Sequence, residues 1–273
     1  MNWDGHTHTE FCPHGTHEEA EQFVRRAIEL GFDTYSITEH MPITPAFKRT
    51  TAGDMEAVDT AAMAMSDLPY YFKMVERLKE TYKSDIEIKL GFEVDYLADF
   101  EDYTQDFLNE YGPRLDDGVL SVHFMEGTGG TRSIDFSAED YDEGLVQYYG
   151  SFGGAQVAYY QELMKSLDAD LGPYKPKRIG HITLCRKFKD YFREDLTLPQ
   201  EVYLPFLEQV ARRGYQLDLN TAGLFKPYCN ETYPTTEIIQ QAKKLAIPLI
   251  YGSDSHGLAD VGRGYAEYEA AKQ

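Results

Sequence analysis

The chain has 273 residues, with 46 acidic and 26 basic side chains and a formal net charge of −20. That balance argues against sequence-independent nucleic-acid binding, which needs a basic surface to displace counterions, and against docking on anionic membranes. Hydrophobic residues make up 42% and aromatics 14%, ample for one large core, and no Pro/Gly/Ser-rich linker or repeat divides the chain, so one domain over 1–273 is expected.

Residues 2–8 read as a short β-strand ending in His6-x-His8. Side chains two apart in a strand share a face, so the two imidazoles project together, half of a metal site. A turn-rich loop carrying His14 follows, then a capping-box pattern at 16–19 and an amphipathic helix that ends at Gly31. Residues 33–38 form a second strand, with Glu39 and His40 at its end. Residues 42–67 are an excursion of weak helical content, and a helix covers 69–82. The third strand, 86–92, runs into Glu93, and a helix covers 103–111. The fourth, 119–122, ends in His123. The glycine-rich turn at 127–130 opens a loop with Arg132, without the Gly-Lys-Ser/Thr ending of a phosphate-cradling loop. One or two helices occupy 137–167. The fifth strand, 177–180, ends at His181, with Arg186 and Lys187 just beyond, and a helix covers 199–213. The sixth, 215–219, has Asn220 at its tip and is followed by a helix over 235–245. The seventh, 248–253, ends in Asp254-Ser255-His256, before a last helix over 259–271.

Strands that alternate with helices imply a parallel sheet, and at this length a closed α/β barrel. Barrel enzymes place their chemistry at the C-terminal ends of the strands, so these His, Glu and Asp residues converge on one mouth. Singly, each has a bland explanation as a turn histidine, a helix cap or a satisfied core residue. Together, that explanation puts every histidine except His17 at or just past a strand tip by accident. A metal site is the better reading. Imidazole and carboxylate donors without thiolate suit Zn, Fe or Mn. Cys12, Cys185 and Cys229 are too few and too widely spaced for a disulfide framework. No signal-like apolar core follows Met1, and no apolar run approaches the roughly 20 residues that span a bilayer. A cytoplasmic enzyme is expected.

In order, His6-x-His8, His14, Thr38-Glu39-His40, Gly91-x-Glu93, Ser121-Val122-His123, Gly180-His181 and Ser253-Asp254-Ser255-His256 resemble the successive motifs of the polymerase and histidinol phosphatase (PHP) superfamily. The resemblance runs from residue 3 to 265. It implies a distorted seven-stranded (β/α) barrel, TIM-barrel-like, with a trinuclear centre at its mouth and hence two to three divalent transition metal ions (Zn, Fe or Mn). The segment 217–227, containing Asn220-Thr221-Ala222-Gly223, is similar to that of monofunctional histidinol-phosphate phosphatases of histidine biosynthesis. That implies a small-molecule phosphate monoester substrate, L-histidinol phosphate, hydrolysed to L-histidinol and phosphate by metal-activated hydroxide, with no nucleic-acid or membrane partner.

Carried over residue by residue, the resemblance assigns His6, His8, Glu93 and Asp254 to one ion. A second takes Glu93, His123 and His181, with Glu93 bridging, and a third takes His14, His40 and His256. Asp254 and His256 are then catalytic candidates, together with Arg186 as a phosphate clamp. Arg186, Lys187, Glu39, Asn220 and Arg132 are the substrate-binding candidates. Glu39 departs from the family's common Thr-Asp-His, although a longer carboxylate can still orient His40. The main alternative is a phosphoesterase of the same superfamily acting on nucleotides or other small phosphate monoesters. A metal hydrolase of the amidohydrolase type usually relies on a mid-barrel Lys or Glu bridge and lacks the Asp-x-His ending and the His14 ligand. A degenerate module that only stabilises a partner tends to lose ligands, whereas all nine positions are filled here.

Overall fold

The structure, a computed structural model, describes residues 2–192 and 198–272. Nine strands follow one another among them: β1 (Trp3–Asp4), β2 (Thr34–His40), β3 (Glu87–Asp95), β4 (Asp117–Ser121), β5 (Phe124–Gly127), β6 (Gly130–Ser133), β7 (Arg178–Ile179), β8 (Gln216–Asn220) and β9 (Leu249–Gly252). Seven are parallel neighbours in the order β1-β2-β3-β4-β7-β8-β9, while β5 and β6 form a separate antiparallel hairpin. The long sheet curls until its edges meet. Gly5 N–H donates to Tyr251 O at 2.8 Å, Asp254 N–H to His6 O at 2.8 Å, and His8 N–H to Ser255 O at 3.0 Å. The result is the nearly closed seven-stranded barrel that the strand–helix alternation predicts.

All seven residues of β2 are buried, because helices cover the outside of the sheet and side chains fill the inside. The helix Ala20–Glu29 turns Ala20, Phe23, Val24 and Ala27 inward, and Leu68–Tyr82 turns in Tyr71, Phe72, Val75 and Leu78, both at helical spacing. The floor of the barrel is polar. Arg178 spans it, donating to Gly5 O and Asp117 Oδ2 at 2.6 Å each, and Trp3 Nε1 donates to Ser36 Oγ at 2.8 Å. No helix among the described residues is long and apolar enough to cross a membrane.

Two local expectations are revised. The pattern at 16–19 caps nothing. The first helix starts at Ala20, whose N–H is taken by Glu10 Oε2 at 2.8 Å, while Glu18 instead accepts from Leu258 N–H at 2.7 Å and ties the loop to the barrel's last connection. The turn at 127–130 does not open a loop. Gly129 (φ 83°) and Gly130 (φ 149°) close the β5–β6 hairpin in a backbone conformation that favours glycine. Arg132 on that hairpin is buried and donates to Asp140 Oδ1 at 2.7 Å and to Asp140 O at 3.2 Å. It pins the hairpin to the helix Ala138–Tyr141. Its place among the substrate-binding candidates is therefore withdrawn.

Candidate metal centre and active site

The strand ends deliver the predicted cluster, and Glu93 near the end of β3 is its hub. Its Oε2 lies 3.1 Å from His6 Nε2, 3.2 Å from His40 Nδ1 and 3.5 Å from His8 Nε2. Its Oε1 lies 2.9 Å from His181 Nε2 and 3.6 Å from His123 Nε2, and accepts from Ser121 Oγ at 2.5 Å. Asp254 Oδ1 closes the other side, 3.1 Å from His8 Nε2 and 3.8 Å from His6 Nε2. Asp254 holds this place with φ 52°, a left-handed conformation that costs a non-glycine residue of order 1 kcal/mol and recurs at functional sites.

The far nitrogen of each ring decides what the near one is. His6 Nδ1–H donates to Asp218 Oδ2 at 2.7 Å, His8 Nδ1–H to Glu39 Oε1 at 3.2 Å and His123 Nδ1–H to Asp95 Oδ1 at 2.6 Å. His14 Nδ1–H donates to Thr60 O at 2.8 Å and His256 Nδ1–H to Asp254 O at 2.9 Å. Each Nε2 is then a bare lone pair in the neutral ring. Yet His14 Nε2 and His256 Nε2 face each other at 2.9 Å, and His123 Nε2 faces His181 Nε2 at 3.2 Å. At His14–His256 lone pair meets lone pair, which repels unless a cation or a proton lies between them. His6 Nε2, both nitrogens of His40 and His181 Nδ1 are buried with no hydrogen-bond partner. Buried polar atoms are rarely left so, and the donor set fits divalent metal ions. Among the described residues five overlapping groups, His6–His8–Glu93, Glu93–His123–His181, His6–His181–Asp254, His40–Asp95–His123 and His8–Cys12–His40–His256, each gather donor atoms within 4.8 Å of one another.

The electrostatics agree. Burial disfavours a charged imidazole throughout, but carboxylates outweigh it at three positions. Glu93 and Asp218 raise the pKa of His6 well above the ordinary imidazole value, Asp254 and Glu39 bring His8 to about 9, and Asp95 and Glu93 bring His123 to about 10. At His14, His40 and His256 burial prevails, with His8 adding to it, and all three are lowered, His40 and His256 well below the usual value. Those three are neutral rings, the form that binds metal. Burial alone raises a carboxyl group, yet the surrounding imidazoles hold Glu93 and Asp254 well below the carboxylate range. A divalent ion held here would compete with protons for the same imidazole lone pairs.

A cavity of about 390 Å³ opens over the cluster and is lined by His14, His40, Glu93, Asp95, His123, His181, Asp254 and His256. Of the substrate-binding candidates, Lys187 alone lines it. Arg186 is turned into a different hollow, where Nε donates to Glu231 Oε1 at 2.5 Å and Nη1 to Gln156 Oε1 at 3.3 Å. The expected phosphate clamp at Arg186 is not met, because its guanidinium is committed to that carboxylate. Glu39 is fully buried and accepts from Thr9 N–H (2.8 Å), Thr9 Oγ1 (2.6 Å) and His40 N–H (2.9 Å) besides His8. It orients His8 rather than the ring of His40, and it does not reach the cavity. Asn220 is also buried: Nδ2 donates to Asp218 Oδ2 at 3.1 Å and Asp254 Oδ2 at 3.0 Å. It positions two carboxylates and is withdrawn as a substrate contact.

Sequence reasoning missed Asp95, Asp218 and the cavity residues Asp135, Phe136 and Lys226. The first two carried a usable signal, since each lies two residues from a residue already singled out, Glu93 or Asn220, and so on the same strand face. The cavity residues sit on connections with no period to betray them.

Fold and donor set together define a metal-dependent hydrolase built on a (β/α) barrel. The PHP domain matches residues 4–222, and the chain belongs to the PHP domain family. The histidinol-phosphatase of Bacillus subtilis is 38% identical over 266 residues, 97% of each chain. A crystal structure of a candidate histidinol phosphatase from Listeria monocytogenes superposes with a TM-score of 0.96 at 60% identity, covering 98% of this chain and 100% of that one. The histidinol phosphate phosphatase of Lactococcus lactis, in complex with zinc, L-histidinol and phosphate, has a TM-score of 0.68 at 18% identity over 99% and 93% of the two chains. At that identity the likeness is one of fold.

Proposed function

We propose that this chain is a histidinol-phosphatase of histidine biosynthesis, hydrolysing L-histidinol phosphate to L-histidinol and phosphate at a centre of two to three divalent metal ions. The observation that carries the chemistry is the convergence of uncompensated imidazole and carboxylate donors on Glu93, beneath a cavity with two lysines in its wall. The near-full-length identity to the B. subtilis enzyme supplies the substrate.

In this reading His6, His8, Glu93 and Asp254 hold one ion, Glu93, His123 and His181 a second, and His14, His40 and His256 a third. Zn, Fe and Mn all suit such donors. When bound, these ions acidify water and neutralise phosphoryl oxygens. The chain's own part is to fix the donors. Asp218, Glu39 and Asp95 each take one Nδ1–H, so that His6, His8 and His123 present Nε2. Asn220 and the backbone contact to His6 O hold Asp254 in register. Asp254, which lines the cavity, is suited to bind an ion and to exchange a proton with water there. His256 stands beside it in the cavity wall.

The test is a side-by-side assay of L-histidinol phosphate, p-nitrophenyl phosphate and a mononucleotide. The expected kcat/KM for L-histidinol phosphate is at least about a hundredfold above the other two, or about 2.7 kcal/mol of added transition-state binding. Comparable rates on all three leave a generic metallophosphatase, and a preference for the nucleotide promotes the alternative phosphoesterase.

A further inference from the structure

We propose that Lys226, rather than an arginine, is the protein cation that grips the substrate's phosphate; this rests on the phosphatase reading above. A phosphate dianion entering a protein of net charge −20 needs cations at the mouth to reverse the local sign. Arg132 pairs with Asp140 in a buried ion pair and Arg186 with the half-buried Glu231, and neither arginine lines the cavity. Lys187 lines it, but its Nζ is held by Asp135, at 3.2 Å from Oδ2 and 2.5 Å from the backbone oxygen. Lys226 lines the same cavity and makes no ion pair among the described residues.

Its backbone is held on both sides, while its Nζ makes no hydrogen bond among the described residues. Lys226 follows the 3₁₀ turn Ala222–Phe225, its N–H donates to Gly223 O at 3.2 Å, its carbonyl accepts from Cys229 N–H at 3.1 Å, and Pro227 restricts the next φ. The ammonium group is partly withdrawn from water, with Lys187 as a repelling neighbour and Asp254 and Asp135 as the attracting ones. Two lysines sharing one cavity wall, only one of them neutralised, is an unfavourable arrangement until an anion enters. An anion bound there shares the cavity with Glu93, His123, His181, Asp254 and His256, which brings the phosphorus end of the substrate to the donors. The segment 217–227 thus carries the positioning amide of Asn220 at the end of β8 and the cation of Lys226 just past the 3₁₀ turn.

The test uses the metal-loaded protein and its two products as probes. In Lys226→Met the inhibition constant of inorganic phosphate should rise, and kcat/KM for L-histidinol phosphate fall, each by at least about tenfold, the worth of one charge-assisted hydrogen bond. The inhibition constant of L-histidinol should stay within about twofold, and metal content should not change. Lys226→Arg should recover phosphate inhibition to within about fivefold, because it restores the charge though not the point geometry. Unchanged phosphate inhibition in Lys226→Met overturns the proposal. So does equal weakening of both products, or loss of metal, since either would mean the cavity itself had changed. If the wild type fails to turn over L-histidinol phosphate, the phosphatase reading fails instead. Calorimetric titration of inorganic phosphate into wild type and Lys226→Met still decides the role of Lys226.

Discussion

At the scale of single residues, the centre separates side chains that offer a lone pair to the interior from those that aim them. Glu93 belongs to the first kind, with five imidazoles within 3.6 Å of its two oxygens. Glu39 belongs to the second, touching one ring and three donors away from the cavity. Glu93→Gln should therefore lower bound metal and cut kcat/KM by more than about a hundredfold, whereas Glu39→Gln should cost about tenfold, in the range of an orienting partner. Elemental analysis beside steady-state kinetics checks this, and the reverse order would mean that the two roles are exchanged. The ligand-type residues were legible because strand ends and the His-x-His and Asp-x-His spacings advertise them. The aiming residues were only half legible. Asp95 and Asp218 sit two residues from Glu93 and Asn220 yet look like ordinary strand carboxylates. Arg186 misled because proximity in sequence to His181 says nothing about which way a 3₁₀ turn, Leu184–Arg186, points its last side chain.

At the scale of elements, the strands are held at distances that some positions tolerate only as glycine. Gly252 on β9 is one: a Cβ there would run into Asp218 Oδ1 and lie 2.9 Å from His6 Cβ. Gly252→Ala should push Asp218 off His6 and weaken metal binding by about ten- to a hundredfold, measured by competition with a chromophoric chelator; unchanged affinity would show that the Asp218 contact does not matter. The hairpin makes the opposite prediction. Arg132→Met leaves the buried Asp140 carboxylate without its cation, with only Asp54 N–H among the described residues donating to it, which should cost about 3 kcal/mol in denaturant unfolding, while kcat/KM of the folded fraction stays within about threefold. A large kinetic defect with intact stability would return Arg132 to the substrate. Alternation of strand and helix was readable because β2 is buried throughout and β3 over its last six residues. The hairpin was not, since its two strands are four residues each and joined through glycines.

At the scale of the molecule, the candidate donors arrive from six strands, with His6, His8, His14, Asp254 and His256 just past the two that meet, β1 and β9, so bound metal ions and the barrel's closure should stabilise each other. His6 and Asp254 sit on the two edges that meet, joined by one backbone hydrogen bond of 2.8 Å. Ligands that bind only the folded state stabilise it by mass action, about 2.7 kcal/mol at a hundredfold excess over Kd. Chelation should therefore lower the thermal midpoint and loosen the β1–β9 seam first, seen as faster amide exchange at His8 and Asp254 than at the β2–β3 amides; uniform exchange would contradict this coupling. The most direct test of the central claim is phosphate release from L-histidinol phosphate as metal is titrated back into the chelated protein. The account predicts no turnover at zero metal and a rate that climbs with occupancy until two to three equivalents are bound. Full activity in a protein that carries no metal would contradict it.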